Sequence, residues 1–201
     1  MNYKEGDVPD DIQHILDTTH FSDAYMDKVE RDLMDDGDIR RYFPNTKIIT
    51  YPELKKVGRI EQLLPYDKSY FILLFLDSPN SGHWTLCCRH NGAIEFFCSY
   101  GSKPSTPLNW NKKINVSLGI DAPYLDILLS KTPLGVWYNP VKYQNDKDLA
   151  ISTCGRHCCF RIMCLLEYNF GLLEYHGLMT TLKEKERQNY DEIVSELFPQ
   201  M

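Results

Sequence analysis

A chain of 201 residues with 43% hydrophobic and 12% aromatic side chains can bury one sizeable core, and nothing in its composition calls for a second domain. The formal net charge of −6 offers no general attraction to nucleic acid or to an anionic membrane, which argues against a nucleic-acid-binding role. The opening MNYKEGDVPDD lacks the apolar run of a secretory signal, and YFILLFL at 70–76 is too short to cross a bilayer. Seven cysteines is an odd number, and adjacent pairs at 87–88 and 158–159 suit reduced buried thiols, so the expectation is a soluble, intracellular protein in a reducing compartment.

In chain order, residues 10–35 have helical patterning, with Ser22 as a cap, Asp23 in the first turn and Gly37 as the stop. TKIIT (46–50) is a short β-branched strand, and YPELKKVGRIEQLLP reads as two short helical turns broken at Gly58. YFILLFL (70–76), HWTLCCRH (83–90) and AIEFFCSY (93–100) read as three strands, the first covered on both faces and the last two joined by an Asn91-Gly92 hairpin turn. A loop over 101–121 is anchored by Trp110, followed by a helix at PYLDILLS (123–130) and a strand at LGVWYN (134–139). CGRHCCFRIMCLLEYNFG has the 3–4 spacing of a buried helix that starts at Cys154 and stops at Gly171. A last amphipathic segment, KEKERQNYDEIVSELF, is expected to pack Tyr190, Ile193, Val194 and Leu197, with KEKER as a solvated face.

The crowding of three cysteines and a histidine into 154–159 raises three chemistries: a nucleophile, a metal site or core packing. A cysteine attacks as its thiolate, and a helix amino terminus favours negative charge, so Cys154 at the edge of its helix is the candidate nucleophile. Gly155 beside it lets backbone or substrate approach closely, while Cys158, Cys159 and Cys164 lie inside the helix as core thiols. Zinc held by Cys154, His157, Cys158 and Cys159 is the rival, but no C-x2-C pair is present and a helix cannot aim adjacent Cys158 and Cys159 at one ion, so no metal and no cofactor are expected. A thiol needs a base on a rigid element. His83, opening a strand after the turn DSPNSG and followed by Trp84, fits that need, and Gln144 in the polar run before the helix is a candidate oxyanion donor with the backbone N–H of Cys154. Taken singly, each has a plainer reading: buried helix-start thiol, hydrogen-bonded strand histidine, solvated amide, core tryptophan.

Their order outweighs the plainer readings. YPEL, GHW, FFCSYG, YN…Q and TCGRHC follow one another over roughly residues 20–170 in a pattern that resembles the adenovirus-proteinase and SUMO-protease clan of cysteine peptidases, and within it the maturation proteases of virophages, polinton-type elements and giant DNA viruses. The resemblance implies an α+β, papain-like protease of the adenain type, with a central mixed sheet flanked by helices and the nucleophile at a helix start. It implies His83 as base, Cys154 as nucleophile, Gln144 as oxyanion donor and Trp84 packed beside the catalytic pair. It also implies cleavage at glycine-containing sites of capsid or other virion precursors, in the virion and the host cell's viral factory, with no membrane partner; the acidic chain implies no requirement for nucleic acid. FFCSYG places Cys98 where relatives carry Asp, Glu or Asn. Either the site is a Cys–His dyad with Cys98 or a water orienting the ring, or Asn91, Glu95 or Ser99 substitutes; strand alternation turns Glu95 away from Cys98, which favours the dyad. Gln144 precedes Cys154 by a longer interval than in many relatives, so Asn145 stands as an alternative donor. The expected organisation is one protease domain over 1–201, with an N-terminal helical region (1–45), a catalytic core (46–170) and a C-terminal helical extension (171–201). A deconjugating protease for ubiquitin-like modifiers and a catalytically degenerate scaffold are the competing functions.

Overall fold

The computed structural model describes residues 6–19, 21–78, 81–110, 112–148 and 150–199. Parts of the expected DSPNSG turn (79–80) and of the expected 101–121 loop (111) lie outside these. The architecture is α+β, and the chain divides into two compact units, the continuous Asn45–Pro140 and a second assembled from Met1–Pro44 and Val141–Met201.

The second unit opens with α1 (Asp10–Thr18), α2 (Asp23–Arg31) and α3 (Asp36–Tyr42). Ser22 caps α2 as expected, its Oγ accepting from the Tyr25 N–H at 3.3 Å. The stop expected at Gly37 is a start instead. Asp35 and Asp38 form a reciprocal capping box, Asp38 N–H on Asp35 Oδ1 at 2.8 Å and Asp35 N–H on Asp38 Oδ2 at 3.0 Å, and Gly37 falls inside the first turn of α3.

The continuous unit carries a five-stranded mixed sheet in the order β1 (Ile48–Thr50), β2 (Tyr70–Ser78), β3 (Ser81–His90), β4 (Ala93–Phe97) and β5 (Gly135–Tyr138). β2, β3 and β4 form an antiparallel meander, and β1 and β5 add in parallel at its edges. The apolar run of β2 buries Phe71, Ile72, Leu73 and Phe75, as a strand covered on both faces must. Asn91 (φ +48°) and Gly92 (φ +77°) supply the two left-handed residues that a tight β3–β4 hairpin requires. Two 3-10 turns, Tyr51–Lys56 and Ile60–Gln62, lie on either side of Gly58. Within the expected loop stand a 3-10 turn (Thr106–Asn109) and α4 (Lys112–Ser117), with α5 (Tyr124–Ser130) beyond. Tyr51, Leu54, Leu125 and Leu128 pack with Phe71, Leu73, Phe75 and Phe96 in the core, each full burial stabilising by about 1.5–3 kcal/mol.

The second unit resumes with α6 (Cys154–Glu167), α7 (Leu172–Glu186) and α8 (Tyr190–Leu197). The stop of α6 comes before Gly171. Asn169 takes the left-handed conformation (φ +58°), which asparagine tolerates, and Phe170 N–H closes on the Cys164 carbonyl at 3.0 Å. The single segment expected over 183–198 is also interrupted, because Arg187 is left-handed (φ +57°) and Asn189 caps a new helix by accepting from the N–H groups of Asp191 and Glu192. Ile193, Val194 and Leu197 are buried, and Tyr190 stands half-buried, edge-on to Tyr143 at 5.0 Å.

α6 is buried along most of its length, arginines included. Arg156 donates from Nε to the Phe198 carbonyl (3.1 Å) and from Nη1 to the Asp32 carbonyl (2.8 Å). Those are the C-cap residues of α8 and α2, where unpaired carbonyls concentrate negative potential, so one buried cation satisfies two helix ends. Among the described residues, no helix is long and apolar enough to cross a membrane.

Candidate active site

In the sheet unit, His83 is an early residue of β3, opposite Phe75 of β2 and only 8% exposed. Its ring lies flat against Tyr100 (centroids 4.5 Å apart, planes 14° apart) and edge-on to Trp110 (5.3 Å, 76°). Nε2 is 3.4 Å from Cys98 Sγ. This setting follows from how β4 ends. After Phe97 the chain turns over Cys98–Gly101, where Gly101 takes φ +67° and its N–H bonds to the Cys98 carbonyl at 2.9 Å, and the turn delivers Cys98 and Tyr100 to the ring. Asn139, just past β5 and fully buried, braces the turn: its Nδ2 donates to the Cys98 carbonyl at 2.8 Å and its N–H to the Phe96 carbonyl at 3.0 Å.

Burial pushes the Cys98 thiol above its ordinary value, against the lowering effect of hydrogen bonds from Ser102 and the Tyr100 backbone. The sulfur beside Nε2 is therefore neutral and a weak partner that brings no charge to an imidazolium. Of the other groups considered for this position, Glu95 sits opposite Cys88 and Asn91 lies in the hairpin turn, both toward the far end of β3, while Ser99 is buried in the Cys98–Gly101 turn. Trp84, the next residue of β3, is buried, and Tyr100 and Trp110 lie against the imidazole.

In the helical unit, Cys154 is the first residue of α6 and 5% exposed, with Gly155 buried beside it and Thr153 as the N-cap. Thr153 does not cap with its side chain; its hydroxyl donates instead to Asp191 Oδ1 on α8. The same Oδ1 is 3.0 Å from His157 Nε2, and Asp191 Oδ2 accepts the Asn145 N–H at 2.9 Å. Gln144 is 2% exposed, and its Nε2 donates to the Ile151 carbonyl at 3.1 Å, which fixes the amide within the segment leading to the helix. Asn145, the alternative donor, has its backbone N–H on Asp191 and its Oδ1 on the Lys147 N–H. Ser152 N–H bonds to the Glu30 carbonyl at 2.7 Å, tying the same segment to α2.

Deeper in α6, burial pushes the Cys159 thiol up to about 12 and Cys164 far above its ordinary value, as inert core thiols require. His157 is engaged with Asp191, and among the described residues no group of three or more His, Cys, Asp or Glu side chains is placed to hold a metal ion. Sequence reasoning missed three contributors. Tyr100 and Asn139 are the last residues of expected strands, and Asp191 lies unremarked within the expected 183–198 segment. Only the apolar neighbours Ile193 and Val194, which put that helix face in the core, hinted that Asp191 is buried.

No family model matches the chain. Two crystal structures of ASFV pS273R protease, one of its selenomethionine form, are similar in structure with TM-scores of 0.46 and 0.44 and sequence identities of 14% and 15%; each match covers 87% of this chain, and 70% and 71% of the other. The uncharacterized protein V9 of Sputnik virophage is 38% identical over an alignment of 126 positions that covers 58% of this chain and 67% of that protein, and the chain belongs to its family.

Proposed function

We propose that the chain is a viral-type thiol endopeptidase of the adenovirus-proteinase and SUMO-protease clan, akin to the maturation proteases of virophages and giant DNA viruses. Its substrates are capsid or other virion precursors, cut at glycine-containing sites of the Gly-Gly-X kind during assembly in the viral factory. The observation that carries this reading is the setting of His83, a strand imidazole held by Tyr100, Trp110 and Cys98, in a chain whose GHW, FFCSYG and TCGRHC segments follow in protease order. Kinship with a virophage protein supports the viral setting.

In this chemistry Nε2 of His83 faces Cys98 and Nδ1 takes the proton of the Cys154 thiol. The thiolate attacks the scissile carbonyl carbon and forms a C–S bond, and the carbonyl electrons move onto oxygen, where the Gln144 amide and the Cys154 N–H hold them. Collapse breaks the C–N bond, and the imidazolium returns its proton to the leaving amine. Water, deprotonated by His83, then hydrolyses the thioester and frees the thiol. The chemistry needs no cofactor, and the acidic charge supports independence from nucleic acid; a steep loss of cutting after nuclease treatment would overturn that part.

The test is incubation of the purified chain with the capsid proteins encoded beside it, followed by sequencing of the new termini. New ends after glycine with the wild type, absent with Cys154→Ala and with His83→Ala, are expected; unchanged cutting by Cys154→Ala would end the assignment. Cleavage of a SUMO or ubiquitin substrate with no cut in capsid proteins would redirect the assignment to a deconjugating enzyme. The uncharged Cys98 beside His83 favours a second reading, a degenerate protease kept as a scaffold. Failure of a glycyl vinyl sulfone to label the wild-type thiol would support it.

A further inference from the structure

Asp191 is a buried carboxylate that the proposed chemistry does not use. It sits in the first turn of α8, 2% exposed, and each of its oxygens is committed. Oδ1 accepts the Thr153 hydroxyl and faces His157 Nε2 at 3.0 Å; Oδ2 accepts the Asn145 N–H at 2.9 Å. Burial pushes the carboxyl up, but the hydrogen bonds from His157, Thr153 and Asn145 outweigh it, and the group is held below its ordinary value. It is therefore an anion, which only accepts, so His157 carries its proton on Nε2.

The identity of the three partners gives this carboxylate a meaning beyond stability. Thr153 immediately precedes Cys154, His157 lies one turn along the same helix, and Asn145 immediately follows Gln144. A single side chain from α8 thus joins the two chain segments that carry the two proposed oxyanion donors, the Gln144 amide and the Cys154 N–H. We infer that Asp191 is a positioning residue that sets the spacing between those donors, so that the last helix of the unit governs how well a tetrahedral oxyanion is held. This rests on the protease assignment above.

Two reagents separate donor spacing from thiol reactivity. Iodoacetamide alkylates Cys154 without forming an oxyanion, whereas an N-acylated glycyl-glycinal adds to the thiol as a hemithioacetal whose oxygen occupies the oxyanion site. Asp191→Asn keeps the shape and one acceptor but cannot accept from Asn145 with its amide nitrogen. It is expected to weaken aldehyde inhibition by about 10-fold or more while iodoacetamide alkylation of Cys154 stays within about 2-fold, since removal of a whole donor costs about 10²–10³ in rate. Thr153→Val should show the same split, and Thr153→Ser, which keeps the hydroxyl, should restore aldehyde inhibition. Unchanged aldehyde inhibition in both Asp191→Asn and Thr153→Val, or an equal loss of inhibition and alkylation in folded protein, would overturn the inference. If Asp191→Asn fails to fold, the Thr153 pair decides alone. A wild-type chain that the aldehyde does not inhibit at all would instead strike down the protease assignment, and this inference with it.

Discussion

Gly82→Ala tests how tightly the strand bearing His83 is held. Gly82 pairs with Leu76 beside a shift of register between Leu76 and Ser78. A Cβ at this position would stand 2.1 Å from the Phe75 carbonyl oxygen, 2.8 Å from its carbonyl carbon and 2.9 Å from Leu76 Cα. Ordinary contact begins near 3.4 Å, so against the 2.1 Å oxygen the methyl is about 1.3 Å too close. All three obstacles are backbone atoms of β2, so no rotamer change relieves them. Moving β2 and β3 apart by that distance stretches ladder hydrogen bonds beyond useful geometry, at about 1 kcal/mol each. Overpacking adds about 1–3 kcal/mol. A total near 3 kcal/mol corresponds to a fall in Tm of roughly 6–12 °C for a chain of this size. Thermal unfolding followed by circular dichroism measures it directly. An alanine variant that melts within about 2 °C of wild type would show that this strand pair yields freely, and the reasoning about a rigid His83 platform would fail.

Three further outcomes follow from the geometry. Cys98→Asp sets an anion where a neutral sulfur now lies 3.4 Å from His83 Nε2, and it should extend Cys154 alkylation by iodoacetamide at least to wild-type rate, whereas Cys98→Ala should slow it; an inert Asp variant beside a fully active Ala variant would show that no orienting group is needed. Arg156→Met leaves the Asp32 and Phe198 carbonyls without their buried donor and should cost about 3 kcal/mol in urea unfolding, with Arg156→Lys recovering only part, because a single ammonium nitrogen replaces the separate Nε and Nη1 that reach the two carbonyls; a Met variant of unchanged midpoint would contradict this. Glu30 is pushed up to about 7 from an ordinary 4.5, first by burial and then by Asp191, Glu192 and Asp27, with Arg31 opposing. Between those values the folded chain keeps a proton that the unfolded chain has released, so stability falls as pH rises through this window; Glu30→Gln should flatten that slope and be more stable than wild type at pH 8 but not at pH 4, as urea midpoints across the range will show.

The sheet was legible because its signals are local. The unbroken apolar run of β2, the thiol and aromatic pattern of β3 and β4, and the Asn91-Gly92 turn each announce themselves within a few residues. The 3–4 spacing of α6, with Cys154 at its head, was equally plain. Helix boundaries were not, because glycine is an unreliable stop signal in this chain. Gly37 lies inside a helix started by two aspartates, and the stops near Gly171 and after Lys185 are made by the non-glycine residues Asn169 and Arg187 in left-handed conformation. At the candidate site, position in FFCSYG was enough to nominate Cys98 as partner of His83, but the stacking of Tyr100 depends on a turn that no spacing rule announces. Asp191 was invisible for a different reason. Its partners at 145, 153 and 157 are distant in sequence, and a carboxylate at a helix start has a sufficient local explanation in the helix dipole.

The discontinuous make-up of the helical unit has a consequence for synthesis. Every strand of the sheet has been made once residue 140 leaves the ribosome, whereas α1 to α3, though translated before the sheet, await α6 and α8. At about 5–20 residues per second, roughly 3–12 s separate emergence of residue 140 from that of Phe198. During this interval the stretch opening at Cys154 lacks both Asp191 and the Phe198 carbonyl, one of the two that Arg156 grips. Whatever chemistry that helix start performs therefore waits on the synthesis of α8, some forty residues downstream of Cys154.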